Sequence, residues 1–187
     1  MTPVSMWSGV VVLSGPPGCG KSTLAEHISK VSGAAVANWD WLMSGLRDFA
    51  EVWATVEADA ELRRDVGYSL MCRVGELQLR RGHGIIFDVI TRPRALALFS
   101  ALASRYETPL SVIECCCSDR AVHEARIVGR RRNIPGWDEL EWHWVENSIS
   151  IYEELPEPKL VVDAVAPLDA NIARVEAYLG LRPSRRA

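Results

Sequence analysis

The 187-residue chain has no apolar run near the roughly 20 residues needed to cross a bilayer. Its first residues also lack the charged-then-apolar order of a secretory leader. The expectation is a soluble, cytoplasmic protein with no membrane partner. None of its five cysteines shows a C-x-x-C spacing, and Cys115, Cys116 and Cys117 stand together in an apolar run. Neighbouring residues on a strand point to opposite faces, so these read as reduced core thiols rather than a disulfide or zinc framework. His27, His83, His123 and His143 have no metal-ligand spacing and receive no chemical role. Internal repeats, low-complexity segments and the Asn-Lys-x-Asp guanine motif are all missing, and residues 1–187 read as one domain. A net charge of −3 disfavours a protein that coats nucleic acid, and 48% hydrophobic residues suffice for a full core. The basic end Arg182–Ala187, with Pro183, is expected to fray.

What the chain does have is Gly-Pro-Pro-Gly-Cys-Gly-Lys-Ser at residues 15–22, directly after the apolar run Val10–Leu13 and Ser14. This is the phosphate-loop pattern G-x-x-x-x-G-K-[ST] following a strand. Its glycines, Gly15, Gly18 and Gly20, allow backbone N–H groups to curl around phosphate oxygens. Pro16, Cys19 and Thr23 belong to the same cradle. Lys21 reaches the β- and γ-phosphates, and the Ser22 hydroxyl is the expected protein ligand of Mg²⁺. Leu24, Ile28 and Val31 then mark the core face of a helix whose N-terminus points at the phosphates. Lys21 and that helix end are expected to lower the pKa of Cys19, making it oxidation-sensitive.

Short β-branched runs alternate with stretches of helical period, which predicts an α/β fold: a three-layer sandwich around a five-stranded parallel sheet. The strands are placed at Gly9–Ser14, Ala34–Ala37, Gly84–Val89, Leu110–Cys117 and Lys159–Val162. Helical core faces are expected at Leu62, Val66, Leu70, Val74 and Leu77; at Leu96, Phe99 and Leu102; at Trp142, Val145, Ile149 and Tyr152; and at Leu168, Ile172, Val175 and Leu179, capped by Gly180.

Ligands of such folds bind beyond the carboxyl ends of the strands. Asp88 ends the run Ile85-Ile86-Phe87 there, in the form of a Walker B carboxylate that holds Mg²⁺ directly or through water. Val89 follows it where motor ATPases carry a water-activating Glu, which favours transfer over hydrolysis. Asp40, between Trp39 and Trp41, has two readings. In one it accepts the proton of an attacking hydroxyl while the tryptophans wall an acceptor pocket; in the other it caps a helix from Trp41 onward and they pack in the core. After Ser118-Asp119, Arg126 and Arg130 fall on one helical face and read as lid residues that neutralise the transferring phosphate. Arg131 and Arg132 read equally as lid or solvated residues, and Asn133–Gly136 as the hinge of a lid over about 119–137. Arg92 and Arg94 suit either an anionic acceptor or an ordinary helix start.

With these residues in place, the chain resembles the adenylate-kinase-like group of P-loop kinases, in particular its bacterial AAA-domain "predicted kinase" branch. It is similar in layout to polynucleotide kinase, zeta toxins, chloramphenicol phosphotransferase and gluconate kinase. The resemblance implies strand order 2-3-1-4-5, ATP and Mg²⁺ as cofactors on Lys21 and Ser22, Asp40 at the acceptor hydroxyl, and Arg126 with Arg130 at the phosphate. The expected activity is transfer of the γ-phosphate of ATP to a hydroxyl of a small-molecule acceptor such as a sugar, nucleoside, nucleotide or antibiotic. A 5′-hydroxyl polynucleotide kinase and a non-catalytic ATP-binding switch are the alternatives.

Overall fold

The structure, a computed structural model, describes residues 7–181; the expected frayed end lies outside them. Strand β1 (Val10–Ser14) leads through the glycine loop to α1 (Lys21–Ser32) and β2 (Ala35–Asn38). Next come α2 (Trp39–Ser44), a 3-10 turn (Gly45–Asp48), α3 (Ala50–Ala58), α4 (Ala60–Leu79) and β3 (Ile85–Asp88). The rest runs α5 (Pro93–Arg105), β4 (Leu110–Cys116), α6 (Arg120–Ile127), α7 (Trp142–Ser150), β5 (Leu160–Asp163) and α8 (Leu168–Leu179). All five strands lie in one parallel sheet ordered β2-β3-β1-β4-β5, as expected.

Both faces of the sheet are covered, which is why β1 reads as an unbroken apolar run rather than an alternating one. Val10, Val12, Ile85 and Phe87 pack under α4 and α5, with Phe87 stacked on Phe99 at 4.1 Å between ring centroids. Val11, Leu13, Ile86 and Ile113 pack under α1 and α8. The register aligns Asn38 with Asp88 and Asp88 with Leu13, bringing the carboxyl ends of β2, β3 and β1 to one level. Ser14 ties that level together: its Oγ accepts from the Thr91 N–H at 3.0 Å and lies 3.0 Å from the Tyr152 hydroxyl.

Helix α4 turns a different face inward from the one its large apolar residues suggest. Gly67, Tyr68, Met71, Gly75 and Leu79 are buried, whereas Leu62 and Leu77 are exposed. The glycines decide this. A Cβ on Gly67 would fall 1.9 Å from the Trp39 indole nitrogen, and one on Gly75 2.7 Å from Phe87 Cζ. Missing side chains let α4 approach Trp39 of α2 and Phe87 of the sheet, and no count of apolar spacing registers them. Leu168 of α8 and Ile149 of α7 are likewise exposed, while Val145, Val175 and Leu179 are buried. Gly180 caps α8 in the left-handed region, φ 63°.

Candidate functional site

The phosphate loop bends where its glycines permit. Gly15 has φ 136°, and a Cβ there would lie 2.0 Å from the Cys115 carbonyl oxygen. Gly20, at φ 83°, starts α1 without any side-chain cap, so the first-turn N–H groups point into the loop as an anion cradle. Lys21 is buried, and its Nζ donates to the carbonyls of Gly15 at 2.7 Å and Pro16 at 3.0 Å. A buried ammonium on neutral carbonyls is short of compensating charge, and a phosphate supplies it.

Beside the loop, Asp88 is 3% exposed and its Oδ2 accepts from Ser22 Oγ and from Asn38 Nδ2, each at 2.8 Å. A hydroxyl and a carboxylate oxygen this close are hard donors of the kind Mg²⁺ takes. Among the described residues no group of three or more His, Cys, Asp or Glu forms an all-protein metal cage. Asn38 is a residue that sequence reasoning missed. Its side chain also accepts from the Trp41 N–H at 3.1 Å and caps α2, a role readable from an Asn directly before the helix.

That cap corrects the capping alternative for Asp40. The helix starts at Trp39, so Asp40 lies in its first turn and its carboxylate is left for other work. Arg132 Nη1 donates to Asp40 Oδ2 at 2.7 Å. Burial raises the Asp40 pKa, against the pull of Arg132 and Lys21 and with a further push from Asp88. A carboxyl shifted upward is better matched to accepting a proton near neutrality. Of the flanking tryptophans, Trp41 is 53% exposed, whereas Trp39 packs edge-on against Trp137 with centroids 6.0 Å apart.

The arginine segment departs from expectation. Helix α6 ends at Ile127, and Gly129, at φ 74°, turns the chain away, so Arg126 and Arg130 share no helical face. The two still share a cavity. Both border a cavity of about 320 Å³ together with Gly20, Ser22 and Thr23 of the loop and helix. Arg126 Nη2 donates to the Ala164 carbonyl at 2.7 Å, and Ala164, Ala166 and Asn171, from β5 to α8, form a wall that sequence reasoning did not foresee. Asn133 and Gly136 adopt positive φ, 53° and 65°, as a chain-breaking segment should. Arg92 pairs with Glu153 at 3.5 Å and Arg94 with Asp65 at 2.8 Å.

The reactive-cysteine expectation is overturned. Cys19 is 2% exposed, and burial pushes its thiol up to about 12, outweighing the attraction of Lys21. The five cysteines are free. His123, given no role from spacing, is buried with Nε2 2.6 Å from the Pro17 carbonyl, so it donates there and props the loop.

A strand, a glycine loop cradling an ammonium, a hydroxyl–carboxylate pair and the 2-3-1-4-5 sheet define a kinase-like P-loop fold. The chain belongs to the AAA domain family, whose match spans residues 10–142. A sugar kinase from Janibacter sp. HTCC2649 superposes with a TM-score of 0.68 at 18% identity, over 95% of this chain and 98% of that one. A gluconokinase from Sinorhizobium meliloti 1021 gives 0.63 at 17%, over 92% and 91%. The APS kinase CysC of Mycobacterium tuberculosis, in complex with AMPPNP and APS, gives 0.64 at 18%, over 92% and 98%. At these identities the likeness establishes the fold. No significant match was found among curated proteins. Among the described residues no helix is long and apolar enough to cross a membrane.

Proposed function

We propose that the protein is an ATP- and Mg²⁺-dependent phosphotransferase that moves the γ-phosphate to a hydroxyl of a small molecule. The observation that carries this reading is the half-buried Asp40 carboxylate, within electrostatic reach of both Lys21 and Asp88. A phosphate cradle alone serves any nucleotide-binding protein, but an acid–base group facing it suits an acceptor hydroxyl. The kinases among the structural neighbours support the same reading.

In this scheme the loop amides and Lys21 hold the β- and γ-phosphates, and Ser22 with Asp88 would hold Mg²⁺, which offsets phosphate charge when bound. Asp40 orients the acceptor hydroxyl and takes its proton. As the hydroxyl oxygen bonds to the γ-phosphorus, the bond to the bridging oxygen breaks and its electron pair leaves with ADP. Arg126 and Arg130, on the rim of the loop-side cavity, neutralise charge on the transferring group and exclude water.

Calorimetry tests the nucleotide half of the scheme. Wild type is expected to bind Mg-ATP, and Lys21→Ala to lose on the order of 100-fold in affinity with the fold retained. Unchanged binding in Lys21→Ala, or none in wild type, would remove the basis of the proposal.

A further inference from the structure

Arg126, Arg130 and Arg131 are exposed, but the Arg132 side chain is only 10% exposed. Its Nη1 meets Asp40 Oδ2 at 2.7 Å, its Nε lies 3.5 Å from Glu139 Oε2, and its Nη2 donates to the Asp138 carbonyl. Its backbone N–H donates to both oxygens of Glu139, at 2.9 and 3.0 Å. The turn that carries it is pinned a second time. Arg47, from the 3-10 turn, pairs with Asp138 at 2.8 Å and sits 4.8 Å from the centroids of both Trp53 and Trp137. Residues 132–139 are therefore docked on α2, the 3-10 turn and α3. An arginine recruited for ATP phosphates presents its planar fork to the cleft. Here Nε, Nη1 and Nη2 each face a protein oxygen.

Building on the phosphotransferase reading, we propose that Arg132 is a positioning residue for Asp40: clamped by Glu139, its guanidinium fixes the direction in which the carboxylate meets the acceptor hydroxyl. The same contact favours the ionised carboxylate. Asp40 is half-buried and faces Asp88 from β3, and Arg132 and Lys21 are the cations that oppose those two effects. Removing Arg132 leaves Lys21 alone against burial and a like charge. Closing over the site and preparing the base then belong to one turn.

The test is a titration of Asp40 by carbon NMR in protein labelled at the aspartate carboxyls, with the resonance assigned through Asp40→Asn. Arg132→Gln is expected to raise the midpoint by about one unit or more, and Arg132→Lys to recover most of that shift. Glu139→Gln, which frees the guanidinium without removing it, is expected to give a smaller rise and decides the matter if Arg132→Gln does not fold. Mg-ATP affinity should stay within about threefold in all three, and the acid limb of phosphoryl transfer should move up with the midpoint. An unmoved or lowered midpoint overturns the proposal. So does a loss of more than about tenfold in Mg-ATP affinity at constant midpoint, which makes Arg132 a phosphate ligand instead. The titration needs neither nucleotide nor acceptor, so it fails or succeeds separately from the kinase reading.

Discussion

On one side of the cleft Lys21 bonds to carbonyls six and five positions back in the chain, whereas on the other Asp40 meets Arg132 across 92 positions. The phosphate side is assembled from consecutive residues, because a loop that wraps a phosphate must be continuous backbone. The side that the phosphotransferase reading assigns to the acceptor is assembled by topology, from α2, the 3-10 turn, α3 and the turn at residues 132–139. The first half is specified locally. The second depends on how distant segments dock, so a family with one fold can alter its acceptor while leaving the nucleotide site intact.

The largest effect is expected where the phosphate loop touches the sheet. Gly15→Ala would drive a methyl into the Cys115 carbonyl, 2.0 Å away, at a backbone angle L-residues avoid; a loss of about 4 kcal/mol or more, or failure to fold, should appear in urea denaturation. Wild-type stability in that variant would break the account of the loop. Next comes Asp88→Asn, which keeps the shape but removes the charge shared by Ser22 and Asn38. Mg²⁺-dependent turnover should drop on the order of 100-fold with little change in melting temperature.

The acceptor half is probed by Gly67→Ala, whose Cβ would meet Trp39. A cost of about 1–3 kcal/mol is expected, with Mg-ATP affinity unchanged; equal damage to nucleotide binding would erase the distinction between the two sides. The smallest effect concerns Cys19. Burial holds its thiol well above the usual range, so iodoacetamide should spare Cys19 in the native protein and label it in urea. Rapid native labelling, read by mass spectrometry, would reinstate a reactive cysteine.

The same contrast governs what could be read from the sequence. The strands fall within a residue of their expected places, because β-branched runs and the glycine loop are local signals. The loop pattern and the carboxylate at the end of β3 were each legible for the same reason, and the fold then brings Ser22 within 2.8 Å of Asp88. Asn38 escaped because its contact with Asp88 arises from strand register, which no single segment shows. The inward face of α4 was misread because it is made by glycines, whose contribution is the side chain they lack. Arg126 and Arg130 were grouped by a helix that Gly129 ends too early, although folding returns both to the same cavity. Arg132 could not be told from its neighbours, since its burial comes from partners at positions 40, 138 and 139.

The most direct test of the phosphotransferase reading is transfer of labelled γ-phosphate to a panel of sugars, nucleosides, nucleotides and hydroxyl-bearing antibiotics, comparing wild type with Asp40→Asn at saturating Mg-ATP. Label should appear on an organic hydroxyl with wild type and fall by about 1,000-fold or more with Asp40→Asn, while both bind Mg-ATP alike. Equal transfer by both proteins, or no labelled acceptor from wild type across the panel, would contradict it.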